Sequence, residues 1–525
     1  MIRKILALYL AAMPVAAQAE WYQADSKHFV VLSNDDPKHL QGYAEQLERF
    51  DKAMRLLRGI EDRPIAPVAR VTVYIVRDVA EIESLSGPGI AGFYRAPVSG
   101  PVAFVPKIDD GQSHIRGSRL FIGTTGGTYD LDGNSVLRHE YSHHFMFDNY
   151  PRTALPFWFV EGFAEFHATA TFGADGSVTF GANPAYRASA LVDRNTLSVR
   201  QVLTADTRRL TGPEWEEMYG HGWLLIHYLT FEPSRQGQLK AYLQALNEGK
   251  SPMEAASVFG DLDAFQRDIS RQILKPKIDV LPILGKAITI DPVTVRKLAP
   301  GEAAIMPARI RSKAGVDTSE APRVLAMARK VAEKFPEDLA VQLELAEAAI
   351  DARDNATASA AAEKAIALSP NAEKAYIFKA RARMAMAKAA KVTDGATWSD
   401  IRRTFVRANR LENGDAEPLM YNYLTYESAG QAPTANAKAG LYTALDLLPD
   451  DPKLRIAVIL QRVADNEYAE AKVALRPLAF APSKANKLAQ ASADLIDALD
   501  AKDKTRIDAA IALIKTERSK IEKGS

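Results

Sequence analysis

Hydrophobic and polar positions give the chain two different rhythms. Up to about residue 275 the rhythm changes from segment to segment. His28–Leu32 and Arg70–Val76 are short, apolar and rich in β-branched residues, which predicts strands. Pro101–Val105 and Ser118–Ile122 repeat that pattern. Leu40–Leu57 is amphipathic with a helical period. From Ser135 onward helical patterning dominates, broken by a hairpin over Phe166–Phe180 around Asp175-Gly176. Residues 276–317 read as a connector or a small β element, with short strand-like pieces among Pro276, Pro282, Pro292, Pro300 and Pro307. From about residue 318 the chain is Ala-rich, helical and repetitive. Phe335-Pro336, Ser369-Pro370, Leu448-Pro449 and Ala481-Pro482 each follow one apolar helix and precede another. The first two of these prolines are 34 positions apart and the last two 33. The 79 positions between Pro370 and Pro449 leave room for two imperfect units divided near Asn413-Gly414.

A period near 34 with two helices per unit is the tetratricopeptide signature, and residues 318–525 resemble such repeats in degenerate form. Ala362, Ala365, Ile366 and Leu368 occupy the small or apolar positions through which such units interlock. A generic helical bundle is the plainer reading. In a stacked array, neighbours bury a continuous core and leave a concave face, which implies a protein or peptide partner.

The first nineteen residues read as a segment removed before folding. Arg3 and Lys4 precede a short apolar stretch, Ile5–Val15, and Ala17-Gln18-Ala19 is an A-x-A cleavage signal. This is the pattern of a secretory signal peptide, with cleavage expected after Ala19 and a periplasmic or secreted product. No second apolar run is long enough to span a membrane, for which about 18 residues are needed.

Composition narrows the chemistry. With 47% hydrophobic and 25% charged residues the 525-residue chain can bury a sizeable core. Its formal net charge of +1 gives no general attraction to nucleic acid or anionic membrane. The absence of cysteine removes disulfides, Fe–S clusters, thiolate zinc sites and cysteine nucleophiles together. Any metal site must use His, Asp or Glu. No complete G-x-S-x-G elbow is present. Gly249-Lys250-Ser251 is preceded by Gln244 where a phosphate loop needs glycine.

Six of the nine histidines fall between residues 139 and 227. His139-Glu140-Tyr141-Ser142-His143 is an H-E-x-x-H, placed on a helix by Asn134 or Ser135 as a cap. Residues four apart share a helix face, so His139 and His143 can offer two imidazoles to one Zn²⁺, with Glu140 beside them. Downstream, Trp158-Phe159-Val160-Glu161-Gly162-Phe163-Ala164-Glu165 predicts a second helix, begun at Pro156. Glu161, 18 positions past His143, is the candidate third ligand. Glu165, one turn on, is placed to orient a ligand histidine. Both carboxylates sit among aromatic residues, and buried carboxylates need partners.

H-E-Y-S-H followed by W-F-V-E-G-F-A-E resembles the gluzincins, the thermolysin-like and aminopeptidase N-like zinc metallopeptidases. Ala91-Gly92-Phe93-Tyr94, the run Tyr219–Leu229 and Phe259-Gly260-Asp261-Leu262 follow in the order seen in a bacterial gluzincin-like group. Val160 stands where the aminopeptidases often carry Asn, and no G-x-M-E-N segment is present. The resemblance spans about residues 21–275. It implies an α+β thermolysin-like zincin domain, with an N-terminal β-sheet and a mostly helical C-terminal lobe, followed by an all-α TPR-like repeat domain. It also implies one Zn²⁺ per chain on His139, His143 and Glu161, with Glu140 as general base. Tyr219, or else His221, becomes the oxyanion donor. His144, His167 and His227 read as packing residues.

The expected organisation is a signal peptide at 1–19, a metallopeptidase domain at 20–275, a connector at 276–317 and repeats at 318–525. The expected function is hydrolysis of peptide or other amide bonds by metal-activated water. The rival reading is a non-catalytic periplasmic interaction protein with a relic or structural metal site.

Overall fold

The computed structural model describes residues 20–88, 90, 92–107, 133–150, 155–187, 191, 196–204, 210–275, 277–449, 451–479 and 487–523. The leader, the strand expected at Ser118–Ile122 and the Ala481-Pro482 break lie outside these residues.

Among the described residues six strands form a mixed sheet: β1 (Tyr22–Asp25), β2 (Phe29–Ser33), β3 (Val71–Val76), β4 (Phe93–Arg95), β5 (Val102–Pro106) and, far along the chain, β9 (Thr294–Lys297). Their order is β4-β5-β3-β2-β1-β9. β2, β3 and β5 are parallel neighbours, whereas β4, β1 and β9 pair antiparallel. The crossover from β2 to β3 is α1 (Pro37–Arg58), which starts with Pro37 and ends at Gly59 in the left-handed conformation. A short helix, α2 (Val79–Ser86), follows β3.

Both faces of the sheet are covered. Val71, Val73, Ala103 and Val105 point into a core shared with α1 and with α3 (Gly133–Asn149). Tyr74, Val76, Val102 and Phe104 point the other way, onto α2 and α10 (Pro300–Ala314). Strands buried on both faces explain the nearly unbroken apolar runs at Val71–Val76 and Val102–Pro106.

The helical lobe beyond the sheet contains α4 (Phe157–Ala168), α5 (Val199–Thr204), α6 (Gly212–Phe231), α7 (Gln238–Asn247), α8 (Pro252–Ala255) and α9 (Leu262–Ile273). The hairpin expected at Phe166–Phe180 is shorter than its sequence pattern. Phe166, His167 and Ala168 stay in α4 because all three are buried in the core. The strands are only β6 (Thr171–Phe172) and β7 (Val178–Phe180), with Gly176 left-handed at the turn. β8 (Leu281–Ile283) adds a third strand.

Residues 276–317 are more than a connector. They give β8 to the small sheet, β9 to the large one, and the whole of α10. Pro300 marks the start of a helix there, because proline at the first helical position loses no hydrogen bond.

From α10 the chain is an array of helical hairpins. α10 pairs with α11 (Ala321–Lys334), α12 (Leu339–Asp351) with α13 (Asn355–Leu368), and α14 (Glu373–Ala389) with α15 (Gly395–Leu411). α16 (Ala416–Ser428) pairs with α17 (Ala435–Leu447), α18 (Pro452–Ala464) with α19 (Tyr468–Ala479), and α20 (Lys487–Asp500) with α21 (Lys504–Lys523). Pro336, Pro370, Gly414 and Pro449 all fall between hairpins, as the sequence pattern predicts. Asp338, Asp354, Asp394, Asp415 and Asp451 cap the helices that follow them. Each of the six turns inside a hairpin carries a left-handed residue: Gly315, Arg353, Lys391, Gly430, Asn466 and Lys502. These recur every 36 to 39 residues, a slightly longer period than the proline spacing suggests. Among the described residues no helix is long and apolar enough to cross a membrane.

Candidate metal centre

The H-E-Y-S-H segment lies in α3, and its residues are divided among different neighbours. Tyr141 is buried and donates to Asp51 Oδ1 of α1 at 2.6 Å. Ser142 donates to the Arg138 carbonyl at 2.6 Å. His144 Nδ1 bonds the Tyr94 hydroxyl of β4 at 2.9 Å. His139 and His143 lie against Glu161 of α4. Anchoring the other positions fixes the rotation of α3 about its axis.

α4 is apolar nearly all round and every one of its residues is buried, which is the behaviour of a helix running through a core. Its distance from α6 is set by glycine. A Cβ built on Gly162 would lie 2.3 Å from the Gly222 carbonyl carbon and oxygen. A Cβ on Gly222 would lie 2.4 Å from the Trp158 carbonyl oxygen.

Glu161, one residue before that contact, points back at α3. His139 Nε2 and His143 Nε2 are 3.1 Å apart. Glu161 Oε2 lies 3.4 Å from the first and 3.5 Å from the second. Zinc–ligand bonds of about 2.1 Å at tetrahedral angles separate ligand atoms by about 3.4 Å. The triangle therefore has the size of one face of a zinc coordination shell. His139 is 2% exposed and Glu161 6%. His139 Nδ1, His143 Nδ1 and Glu161 Oε2 are buried without a hydrogen-bond partner. Burial by itself raises the Glu161 carboxyl, but the two imidazoles, His143 foremost, reverse this and hold it down to about 2. Burial likewise pulls His143 down, and Glu161 outweighs it and leaves the imidazole raised. Glu140, half-buried, makes no hydrogen bond to the described residues.

Glu165 departs from its expected role. Its Oε1 is 3.8 Å from His139 Nδ1, too far for a hydrogen bond. It is held instead by Arg187, whose Nε and Nη2 donate to Oε1 at 3.0 and 2.7 Å, and by the Tyr186 hydroxyl. Arg187 also donates to Glu216 at 2.8 Å. Sequence reading missed Tyr186 and Arg187. The signal for them was indirect: a carboxylate as deeply buried as Glu165 requires a cation.

Tyr219 stands against Phe157 and under the Arg187 guanidinium, 4.5 Å from its ring centre. Burial raises its hydroxyl well above the usual range, and Glu161 is the charge that adds most. His221 Nδ1 hydrogen-bonds the carbonyl of Glu217, one turn back in α6, at 2.9 Å. His227 is fully buried among aromatic rings and bonds the Asp279 carbonyl at 2.8 Å. His167 is likewise fully buried, against the Phe163 carbonyl at 2.7 Å.

A second histidine–carboxylate cluster, unsignalled by any spacing, gathers His28, Asp51 and Asp62 behind α1. His28 Nδ1 is 2.8 Å from Glu48 Oε2. Burial pulls this imidazole down, and Glu48 and Asp51 outweigh that and raise it. Arg55 donates to Asp51 at 2.7 Å, and Lys27 and Lys52 both pair with Asp62.

The fold and site thus comprise a sheet-and-helix lobe with a two-histidine, one-carboxylate cluster, followed by a helical-hairpin array. No family model matches the chain, and no curated protein matches it. Among solved structures, the chain is similar to a thermophilic TPR protein of Thermus thermophilus, at 20% identity and a TM-score of 0.28. That match covers 36% of this chain and 92% of the other.

Proposed function

We propose that the chain is a zinc-dependent metallopeptidase of the gluzincin type, with residues 20–275 as a thermolysin-like catalytic domain. The observation that carries this reading is the convergence of His139, His143 and Glu161 in a buried triangle, with no neutralising lysine or arginine among the described residues. When bound there, zinc supplies Lewis acidity toward a carbonyl and toward water. Glu140, adjacent to His139 and unengaged by the described residues, takes the proton of the attacking water and returns it to the leaving amine. Tyr219 supplies the hydroxyl that steadies the developing oxyanion; burial and the nearby Glu161 keep it protonated for that task. Among the described strands β4 stands at the edge of the sheet, beside α3, so its backbone can pair with an extended peptide.

The helical array serves as a surface for a protein partner or substrate, and the leader pattern supports export to the periplasm or beyond. The test is elemental mass spectrometry and peptide hydrolysis on the purified chain, with Glu140→Gln and His143→Ala. One zinc per chain, retained in Glu140→Gln while hydrolysis falls about 100-fold or more, is expected. His143→Ala loses the zinc. Undiminished hydrolysis in Glu140→Gln would refute the mechanism.

A further inference from the structure

Between the large sheet and the start of the helical array lies a cavity of about 470 Å³. β3 and β5 form one side; α10, α12 and α14 form the other. Most charges on its lining satisfy one another. Arg296 binds both oxygens of Glu302, and Lys313 binds both oxygens of Glu347 at 2.6 and 2.7 Å. Lys374 bridges Asp415 and Glu417.

Two ionisable groups are left over. Arg309 of α10 is half-buried, lies close to the Tyr74 side chain, and pairs with no carboxylate among the described residues. Glu344 of α12 is 4% exposed, and its Oε1 has no hydrogen-bond partner. The two helices pack together and each charge feels the other, yet no ion pair forms between them. An unmade hydrogen bond at a buried carboxylate costs on the order of 1–3 kcal/mol. A molecule bringing an acceptor to Arg309 and a donor to Glu344 removes that cost. A simple carboxylate would leave Glu344 unmatched, and a simple amine would leave Arg309. A zwitterion answers both and carries no net charge into the cavity.

We propose that this cavity binds a small zwitterion, a free dipeptide, with its carboxylate on Arg309 and its ammonium on Glu344. Leu343 and Phe378 line the same space and offer apolar surface to its side chain. Burial and the neighbouring Glu347 hold Glu344 above the ordinary carboxylate range, so an arriving ammonium draws its proton off into solvent.

The test is calorimetric titration of the full chain with Ala-Ala, N-acetyl-Ala-Ala and Ala-Ala amide, in two buffers of different ionisation enthalpy. The titrations are repeated in His143→Ala, which cannot bind a peptide through the candidate metal centre. One Ala-Ala per chain is expected, with proton release, and with each blocked peptide bound about tenfold more weakly or worse. Binding persists in His143→Ala. Glu344→Gln brings Ala-Ala down to the level of N-acetyl-Ala-Ala and abolishes the proton release. Equal binding of the blocked peptides, loss of binding in His143→Ala, or no binding at millimolar Ala-Ala would overturn the proposal. The comparison of free and blocked peptides decides the matter even if Glu344→Gln fails to fold.

Discussion

Two clusters in the N-terminal lobe have similar ingredients and opposite electrostatics. His28, Glu48, Asp51 and Asp62 are interleaved with Lys27, Lys52 and Arg55, three carboxylates against three cations. His139, His143 and Glu161 have no lysine or arginine beside them among the described residues, and His139 Nδ1, His143 Nδ1 and Glu161 Oε2 are left without a hydrogen-bond partner. Burying a charge is costly unless it is paired. The first cluster meets that requirement from within and ties α1 to β2 and, through Tyr141, to α3. The second has only its own two imidazoles to answer Glu161, which suits a cation from outside. The presence of a histidine among carboxylates is therefore weak evidence of a metal site, and charge balance is the better discriminator.

The largest effect that can break this comparison is the response to zinc. At about a thousandfold excess over its Kd, zinc should stabilise the chain by about 4 kcal/mol. Thermal unfolding should show that gain in the wild type and in His28→Asn, and none in His143→Ala. A zinc response that disappears in His28→Asn instead would reverse the assignment of the two clusters.

Glu165→Gln comes next. It removes the negative charge whose Oε1 takes both Arg187 bonds and should cost about 3 kcal/mol in denaturant unfolding. Because Glu165 is not hydrogen-bonded to His139, zinc content should survive the change. Gly162→Ala should cost about 2–3 kcal/mol by forcing α4 off α6. It should also weaken zinc binding, since Glu161 rides on the displaced helix.

A smaller effect tests the charge-balance rule in the helical array. Asp351 accepts a hydrogen bond from Ser312 but has no cation within ion-pair distance among the described residues. Burial, then Glu347, raises its carboxyl from 3.8 to about 6. A folded-state acid with a raised pKa holds its proton longer than the unfolded chain does. Stability is therefore full below the unfolded pKa and falls as pH rises from about 4 through about 6. A shift of that size corresponds to about 3 kcal/mol, which the partial exposure of Asp351 screens to about 1–2 kcal/mol, and Asp351→Asn should flatten the fall. Smallest of all, Lys52→Met removes one of two lysines on partly exposed Asp62 and should cost under about 1 kcal/mol.

The strands at Phe29, Val71 and Val102, the long helix α1, the two helices of the candidate centre and the hairpin breaks at Pro336, Pro370 and Pro449 were all legible in sequence. Each depends on side-chain periodicity, capping or proline chemistry within a few neighbouring residues, which is local physics. The candidate ligands were legible for the same reason, since His139 and His143 share a helix face by spacing alone. The role of residues 276–317 was hidden, because prolines mark helix starts and breaks alike, and only the pairing of β9 with β1 shows which applies. The recurring left-handed turn was hidden because Arg353, Lys391, Asn466 and Lys502 fill positions where glycine would have advertised it.

Sequence alone thus determined the local elements and the identity of the three candidate ligands. Tertiary structure alone decided that Glu165 belongs to Arg187, that Tyr219 lies near Glu161, and that Arg309 and Glu344 share one cavity unpaired. These are contacts between segments distant in the chain. Their energies depend on burial and on which opposite charge arrives within reach, and no short window of residues contains either quantity.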